Sequence, residues 1–109
     1  MFQLIGVRLH YLYKDTECDQ MITDILVSGV VQGVGFRYAT KQLAGEFNLK
    51  GWVKNNSDGT VQIQVDGDGK KVQKFIKAIK NNPTGSSHVS DIKVTEIETT
   101  ETFHQFTIK

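Results

Sequence analysis

The 109-residue sequence predicts an α+β domain in which two helices cover one face of an antiparallel sheet. Between Thr60 and Asp66, apolar and polar residues alternate strictly, which indicates a strand with one buried face. Between Lys70 and Lys80, apolar residues fall at helical spacing and lysines occupy the opposite side, which indicates an amphipathic helix. Glycine-containing turns separate these two segments from further strand and helix patterns.

The first half of the domain is predicted to hold a strand, a helix and a hairpin. The stretch Ile22–Ser28 is rich in β-forming residues and runs into a glycine-rich segment, so it is the first strand. From Phe36, apolar residues near helical spacing predict a helix of about three turns. Two strands at 51–56 and 60–66 flank Asp58-Gly59, a pair typical of hairpin turns.

The second half is predicted to supply one more helix and two strands. The amphipathic helix is closed by Asn81-Asn82-Pro83, and residues 84–90 form a polar loop. Asp91–Glu98 is a fourth strand, and Phe103–Ile108 is a short terminal one. The resulting β-α-β-β-α-β order is the ferredoxin-like split βαβ arrangement, with a sheet of four or five strands. We assign this domain to residues 21–109 and interpret residues 1–20 as an N-terminal extension outside the core.

Composition excludes several classes of function. Thirteen basic and twelve acidic residues leave a net charge of +1, which argues against a strong electrostatic binder of nucleic acid or membrane. Cys18 is the only cysteine, so an internal disulfide and a thiolate zinc cluster are both ruled out. His10, His88 and His104 show no metal-ligand spacing. Without an apolar run of about 20 residues, the expected location is the cytoplasm.

Three glycines lie between the first strand and the first helix, at Gly29, Gly33 and Gly35. Backbone N–H groups at a helix N-terminus have no intrahelical partner, and the helix dipole there favours negative charge. Glycines let an anion approach the backbone, and the guanidinium of Arg37 adds a planar fork of donors. The pattern therefore fits a phosphate or carboxylate cradle. It fits a tight turn with a solvent-facing arginine about as well.

Two nucleotide-binding motifs do not fit the glycine-rich segment. It lacks the Gly-Lys-Ser/Thr ending of a Walker loop, and Tyr38 stands where the dinucleotide fingerprint requires a third glycine.

Two stretches resemble the signatures of the acylphosphatase family. Gly29–Arg37 reads GVVQGVGFR and resembles the first signature, and Gly51–Val61 reads GWVKNNSDGTV and resembles the second. Their order and separation match the family, and the resemblance covers about residues 22 to 108. One departure is Gln62, where many members carry a glutamate.

The resemblance implies hydrolysis of acyl phosphates to a carboxylate and inorganic phosphate, without metal or cofactor. A carboxylate leaving group needs no general acid, so a site without catalytic His or Cys is chemically sufficient. By family analogy Arg37 binds the phosphate and Asn55 holds the attacking water. The phosphate-binding segment comprises Gln32, Gly33, Val34, Gly35, Phe36 and Arg37. The implied protein is a monomer that acts on a small molecule and is inhibited competitively by inorganic phosphate.

Two alternatives remain open at this point. A ferredoxin-like sheet can bind RNA through exposed aromatic residues, although the strand at 60–66 offers Gln62 and Gln64 instead. A regulatory module that binds phosphate without turnover would use the same cradle.

The lysines at 70, 74, 77 and 80 are interpreted as a solvated helix face, and Trp52 as a packing residue.

Overall fold

The computed structural model describes residues 20–109, which form five strands and two helices. The elements are β1 (Gln20–Val30), α1 (Phe36–Glu46), β2 (Lys50–Asn55), β3 (Val61–Asp66), α2 (Gly69–Lys80), β4 (His88–Thr99) and β5 (Phe106–Ile108). Their order confirms the predicted α+β class and the β-α-β-β-α-β arrangement. The predicted extension lies outside the described residues except for Gln20, and so do His10 and Cys18.

The sheet has the strand order β4-β1-β3-β2-β5. The first four strands in this order pair antiparallel, as predicted, whereas β5 pairs parallel with β2, so the complete sheet is mixed. Residues 100–105 connect β4 to β5 across one end of the sheet. Six extended residues reach about 20 Å, which matches four strand spacings of about 4.8 Å. Because the chain crosses directly at this end, β5 then runs parallel to β2.

The hydrophobic core lies between the two helices and one face of the sheet. On β3 the alternating residues Val61, Ile63 and Val65 are fully buried, as the sequence pattern predicts. Phe36 from α1 and Phe75 from α2 are also buried against this face. Burial of each such side chain contributes about 1.5–3 kcal/mol, so the amphipathic faces of both helices fix their position on the sheet.

The opposite face of the sheet is largely polar. Asp24 on β1 accepts hydrogen bonds at Oδ1 from the Nε2 atoms of Gln62 and Gln64, each at 2.9 Å. Trp52 is directly opposite Gln64 in the β2–β3 register, and only 8% of its surface is exposed. The Nζ atoms of two lysines lie over its ring. This face therefore presents no exposed aromatic ring on β2 or β3.

The first of the three glycines lies inside a strand, not in the loop where the sequence suggested it. β1 continues to Val30 and pairs with the start of β4 through a bulge between Ser28 and Gly29. Gly29 has φ 129°, and a Cβ atom there would overlap the main-chain oxygen of His88. The same pairing extends β4 back to His88, so the predicted polar loop at 84–90 ends three residues earlier than expected.

Neither helix within residues 20–109 has the length and apolar content that crossing a bilayer requires.

Candidate active site

The loop between β1 and α1 has a backbone conformation that only glycine adopts easily. Gly33 has φ 75° and Gly35 has φ 78°, both in the left-handed region, whereas Val34 between them does not have a positive φ. Such alternation turns successive N–H groups toward one side and forms an anion-binding concavity. A Cβ atom at either glycine would meet nothing within 4 Å. Glycine is therefore required here for conformation and not for space.

Within residues 20–109, the N–H groups of this loop and of the first turn of α1 have no intramolecular acceptor. The first amide of α1 to form a bond is that of Ala39, which donates to the main-chain oxygen of Gly35 at 3.1 Å. Within residues 20–109, no backbone acceptor receives the N–H groups of residues 32–38. These donors lie at the positive end of the helix dipole. The loop therefore offers a row of amides that favours an anion.

A side chain from the loop fixes it to the β2–β3 hairpin. The Nε2 atom of Gln32 donates to the main-chain oxygens of Asn56 and Thr60, both at 2.8 Å. Asn56 also donates from Nδ2 to Oγ1 of Thr60 at 3.0 Å, which closes the turn of the hairpin. Val34 packs against the core. The side chains of Gln32 and Val34 thus hold the loop in place, and only their backbone amides are available to a ligand.

One exposed carboxylate strengthens the same turn. The pKa of Asp58 is lowered because its Oδ1 accepts a hydrogen bond from Oγ1 of Thr60 at 2.6 Å and another from the Thr60 N–H at 3.0 Å. Both bonds favour the ionised carboxylate. The structure therefore gives Asp58 the role in the turn that the sequence predicts.

A cavity of about 190 Å³ lies in front of the loop. It is lined by Val31, Gly33, Gly35, Phe36, Arg37, Tyr38, Asn55 and Ile108. The β1–α1 loop, the end of β2 and the end of β5 meet at this cavity. Of the predicted site residues, five line it, whereas Gln32 and Val34 do not. A hollow of about 530 Å³ elsewhere follows the lysine side of α2, which is open helix surface.

Arg37 is half-buried, and its hydrogen-bond partner is the main chain of Lys109, the residue after β5. Its Nη1 atom donates to the main-chain oxygen of Lys109 at 3.2 Å. Lys109 is itself held by its N–H, which donates to the Val53 oxygen at 2.8 Å, and by its Nζ, which lies 4.4 Å from the Trp52 ring centroid. In the described part of the chain, no side-chain carboxylate pairs with Arg37. The guanidinium is therefore oriented, and its charge remains available to an anion.

Asn55, the last residue of β2, lines the same cavity and carries a buried acceptor without a hydrogen-bond partner. Its Oδ1 atom is one of four buried side-chain polar atoms in residues 20–109 that have no hydrogen-bond partner. Among the residues that line this cavity, it is the only such atom. Leaving a buried acceptor unpaired costs about 1–3 kcal/mol, which a donor that reached Oδ1 would offset.

No group of three or more potential metal-ligating side chains occurs in residues 20–109. His88 begins β4, and His104 lies in the connection to β5, so neither reaches the cavity.

Comparisons with known proteins agree with this geometry. The acylphosphatase family matches residues 23–108. The acylphosphatase of Bacillus subtilis is 46% identical over 84 residues, which covers 77% of this chain and 91% of the relative. That of Lactobacillus johnsonii is 44% identical over 82 residues, covering 75% and 90%.

Solved structures give the same result. The crystal structure of the acylphosphatase from Bacillus subtilis aligns with a TM-score of 0.77 at 43% identity, covering 83% of this chain and 99% of that one. The structure of an acylphosphatase from Coxiella burnetii aligns with a TM-score of 0.75 at 30% identity, covering 82% and 92%. With the two signature stretches meeting at one cavity on the matching fold, the chain belongs to the acylphosphatase family.

Proposed function

We propose that this chain hydrolyses acyl phosphates, the mixed anhydrides of a carboxylic acid and phosphoric acid, at the cavity between α1, β2 and β5. The observation that carries the proposal is the pairing of two features in one cavity. Arg37 and a row of free amides offer an anion site, and the buried Oδ1 atom of Asn55 offers an acceptor beside it. Membership of the acylphosphatase family supports the same reaction.

The phosphoryl group is held by the loop. In this proposal its oxygens accept hydrogen bonds from the N–H groups of residues 32–36 and from the guanidinium of Arg37. Because charge spreads over the equatorial oxygens in the transition state, donors fixed before the reaction stabilise it without reorganisation. The bond from Arg37 to the Lys109 oxygen supports this role, since it orients the guanidinium while leaving its other N–H groups for the ligand.

Asn55 positions the attacking water. Its Oδ1 atom accepts a hydrogen bond from the water, and a neutral amide avoids the repulsion that a carboxylate would have beside the phosphate. The water oxygen forms a bond to phosphorus while the bond from phosphorus to the acyl oxygen breaks. The carboxylate leaves with the electron pair, and the water protons remain on the phosphate product. No protein acid or base is required in this scheme.

The two alternative functions have less support. A module that binds phosphate without turnover would use the same amides and Arg37, but it gives no reason for the buried acceptor of Asn55. RNA binding on the open sheet face is disfavoured because Trp52 is nearly covered and Gln62 and Gln64 are bonded to Asp24. We extend the proposal to a cytoplasmic monomer that binds no nucleic acid or membrane.

Hydrolysis is expected to be independent of divalent metal ions. Phosphate release from benzoyl phosphate should proceed at the same rate with and without EDTA, because charge stabilisation comes from Arg37 and the loop amides. The measurement is a phosphate assay on the full chain. Loss of activity in EDTA that a divalent ion restores would overturn the mechanism, and the absence of any release would overturn the proposed function itself.

Removal of residues 1–20 is expected to leave fold and activity largely intact. Both signature stretches lie after this segment, and so do the buried core side chains that the structure describes in residues 20–109. The deletion also takes Gln20, whose pairing with Thr99 is the last in the β1–β4 register. Thermal melting followed by circular dichroism, together with benzoyl phosphate turnover, checks both parts. A truncated chain that fails to fold, or that loses most of its turnover, would contradict the expectation.

A further inference from the structure

The candidate active site has two chemically different sides. Arg37, Asn55 and the backbone of the glycine loop form its polar side, whereas the other lining side chains are apolar. Phe36 and Val31 are buried, at about 1% exposure each, and so form part of the wall. Tyr38 and Ile108 are 61% and 40% exposed and form the rim.

An exposed apolar rim cannot bind a phosphate group, because a phosphate requires hydrogen-bond donors and positive charge. Single exposed apolar side chains are common, but exposed apolar side chains that cluster beside a cavity are typical of a ligand-binding surface. The cavity volume of about 190 Å³ is well above the roughly 10–15 Å³ of such space that one water molecule requires, so the cavity has room for more than a phosphate group. The remaining space lies beside apolar side chains.

The tyrosine of this rim is held in one orientation. Its hydroxyl oxygen accepts a hydrogen bond from the Nε2 atom of Gln42, one turn further along α1, at 3.0 Å. Residues four apart on a helix face each other, so this bond restrains the ring of Tyr38 beside Arg37. A restrained aromatic ring contributes contact area with little loss of conformational entropy on binding.

We propose that Tyr38 and Ile108 bind the acyl group of the substrate and select acyl phosphates with an aromatic or other bulky apolar acyl chain. This inference rests on the proposed function, since it assigns the second half of the same substrate. With the phosphate on the loop, the acyl group attached to it reaches the rim and covers the two exposed side chains.

The distribution of charge around the cavity disfavours substrates whose acyl chain carries a second negative charge. Among the described residues 20–109, Arg37 is the one charged side chain that lines the cavity. A substrate with a second carboxylate on its acyl chain would place that charge against the apolar rim without a cation to pair it, at a cost in desolvation. A short acyl chain would leave the rim uncovered. The site is therefore built to discriminate against both kinds of substrate.

The test compares kcat/KM for benzoyl phosphate and acetyl phosphate in the full chain and its variants. The unaltered chain should favour benzoyl phosphate. Tyr38→Ala should lower kcat/KM for benzoyl phosphate about tenfold and leave that for acetyl phosphate within about twofold. Ile108→Ala should act in the same direction with a smaller loss. Tyr38→Phe should keep the preference, because the ring remains and only the bond to Gln42 is lost.

Two controls separate the acyl site from the rest of the mechanism. The inhibition constant of inorganic phosphate should not change in Tyr38→Ala, since the loop and Arg37 are untouched. Val94→Ala, which removes an exposed apolar side chain of β4 that does not line this cavity, should leave both substrates unaffected. Equal losses with both substrates in Tyr38→Ala, or no preference in the unaltered chain, would overturn the acyl assignment alone. A chain that hydrolyses neither substrate would overturn the proposed function, and the acyl assignment with it.

Discussion

Replacing Arg37 with alanine is expected to lower the turnover of benzoyl phosphate about 10²–10³-fold, or about 2.7–4 kcal/mol, the usual loss when a preorganised donor to a transition state is removed. The same change should weaken competitive inhibition by inorganic phosphate, because no other charged side chain in the described part of the protein lines the cavity. Both effects are measured in one set of inhibition curves. Loss of turnover with unchanged phosphate inhibition would show that Arg37 does not bind the phosphate.

A lysine at the same position separates charge from geometry. Arg37→Lys keeps the positive charge but loses the planar fork of donors, and it cannot both reach the Lys109 oxygen and bind two phosphate oxygens side by side. We expect turnover between that of the unaltered chain and that of Arg37→Ala. Full activity in Arg37→Lys would mean that charge alone is sufficient and that the bidentate geometry is wrong.

Replacing Asn55 with alanine is expected to separate chemistry from binding. Turnover should fall by about 10²-fold or more, as for other residues that act only in the transition state. Inhibition by inorganic phosphate should survive, because the proposed partner of Asn55 is the attacking water and not the phosphate. Near-normal turnover in a folded Asn55→Ala protein would refute the assigned role.

The neighbouring residue provides a matched control for this variant. Asn56 lies in the same hairpin, and its Nδ2 atom bonds to Thr60 Oγ1, but it does not line the cavity. If Asn55 only supported the hairpin, Asn56→Ala should lower turnover and melting temperature as much as Asn55→Ala does. We expect Asn56→Ala to lose stability at most. Circular dichroism and thermal melting of both variants make the comparison.

Local patterns in the sequence predicted most of the fold. Alternation in β3 and the helical spacing in α2 each report which side of the element is buried, because a period of two or of 3.6 residues follows directly from backbone geometry. The parallel pairing of β5 was not predicted. It depends on where residues 100–105 carry the chain across the sheet, and no local pattern records that path.

The predicted site residues were informative to different degrees. Gly33, Gly35 and Arg37 could be proposed from their place between a strand and a helix, since amide geometry there favours anions. The bulge at Gly29 and the bonds from Gln32 to the hairpin were missed because each joins residues far apart in sequence. The apolar rim at Tyr38 was likewise missed. Exposure of a side chain beside a cavity is a tertiary property.

The bond between Arg37 and Lys109 joins residues 72 positions apart, and this has a kinetic consequence. A contact at such separation closes a large loop, and the entropy of that closure must be overcome before the contact stabilises anything. Before β5 docks, the glycine loop and the hairpin can already be formed. In such a chain Arg37 would lack its hydrogen bond to the Lys109 oxygen. Regain of activity during refolding is therefore expected to require docking of β5, whose Phe106 also completes the hydrophobic core.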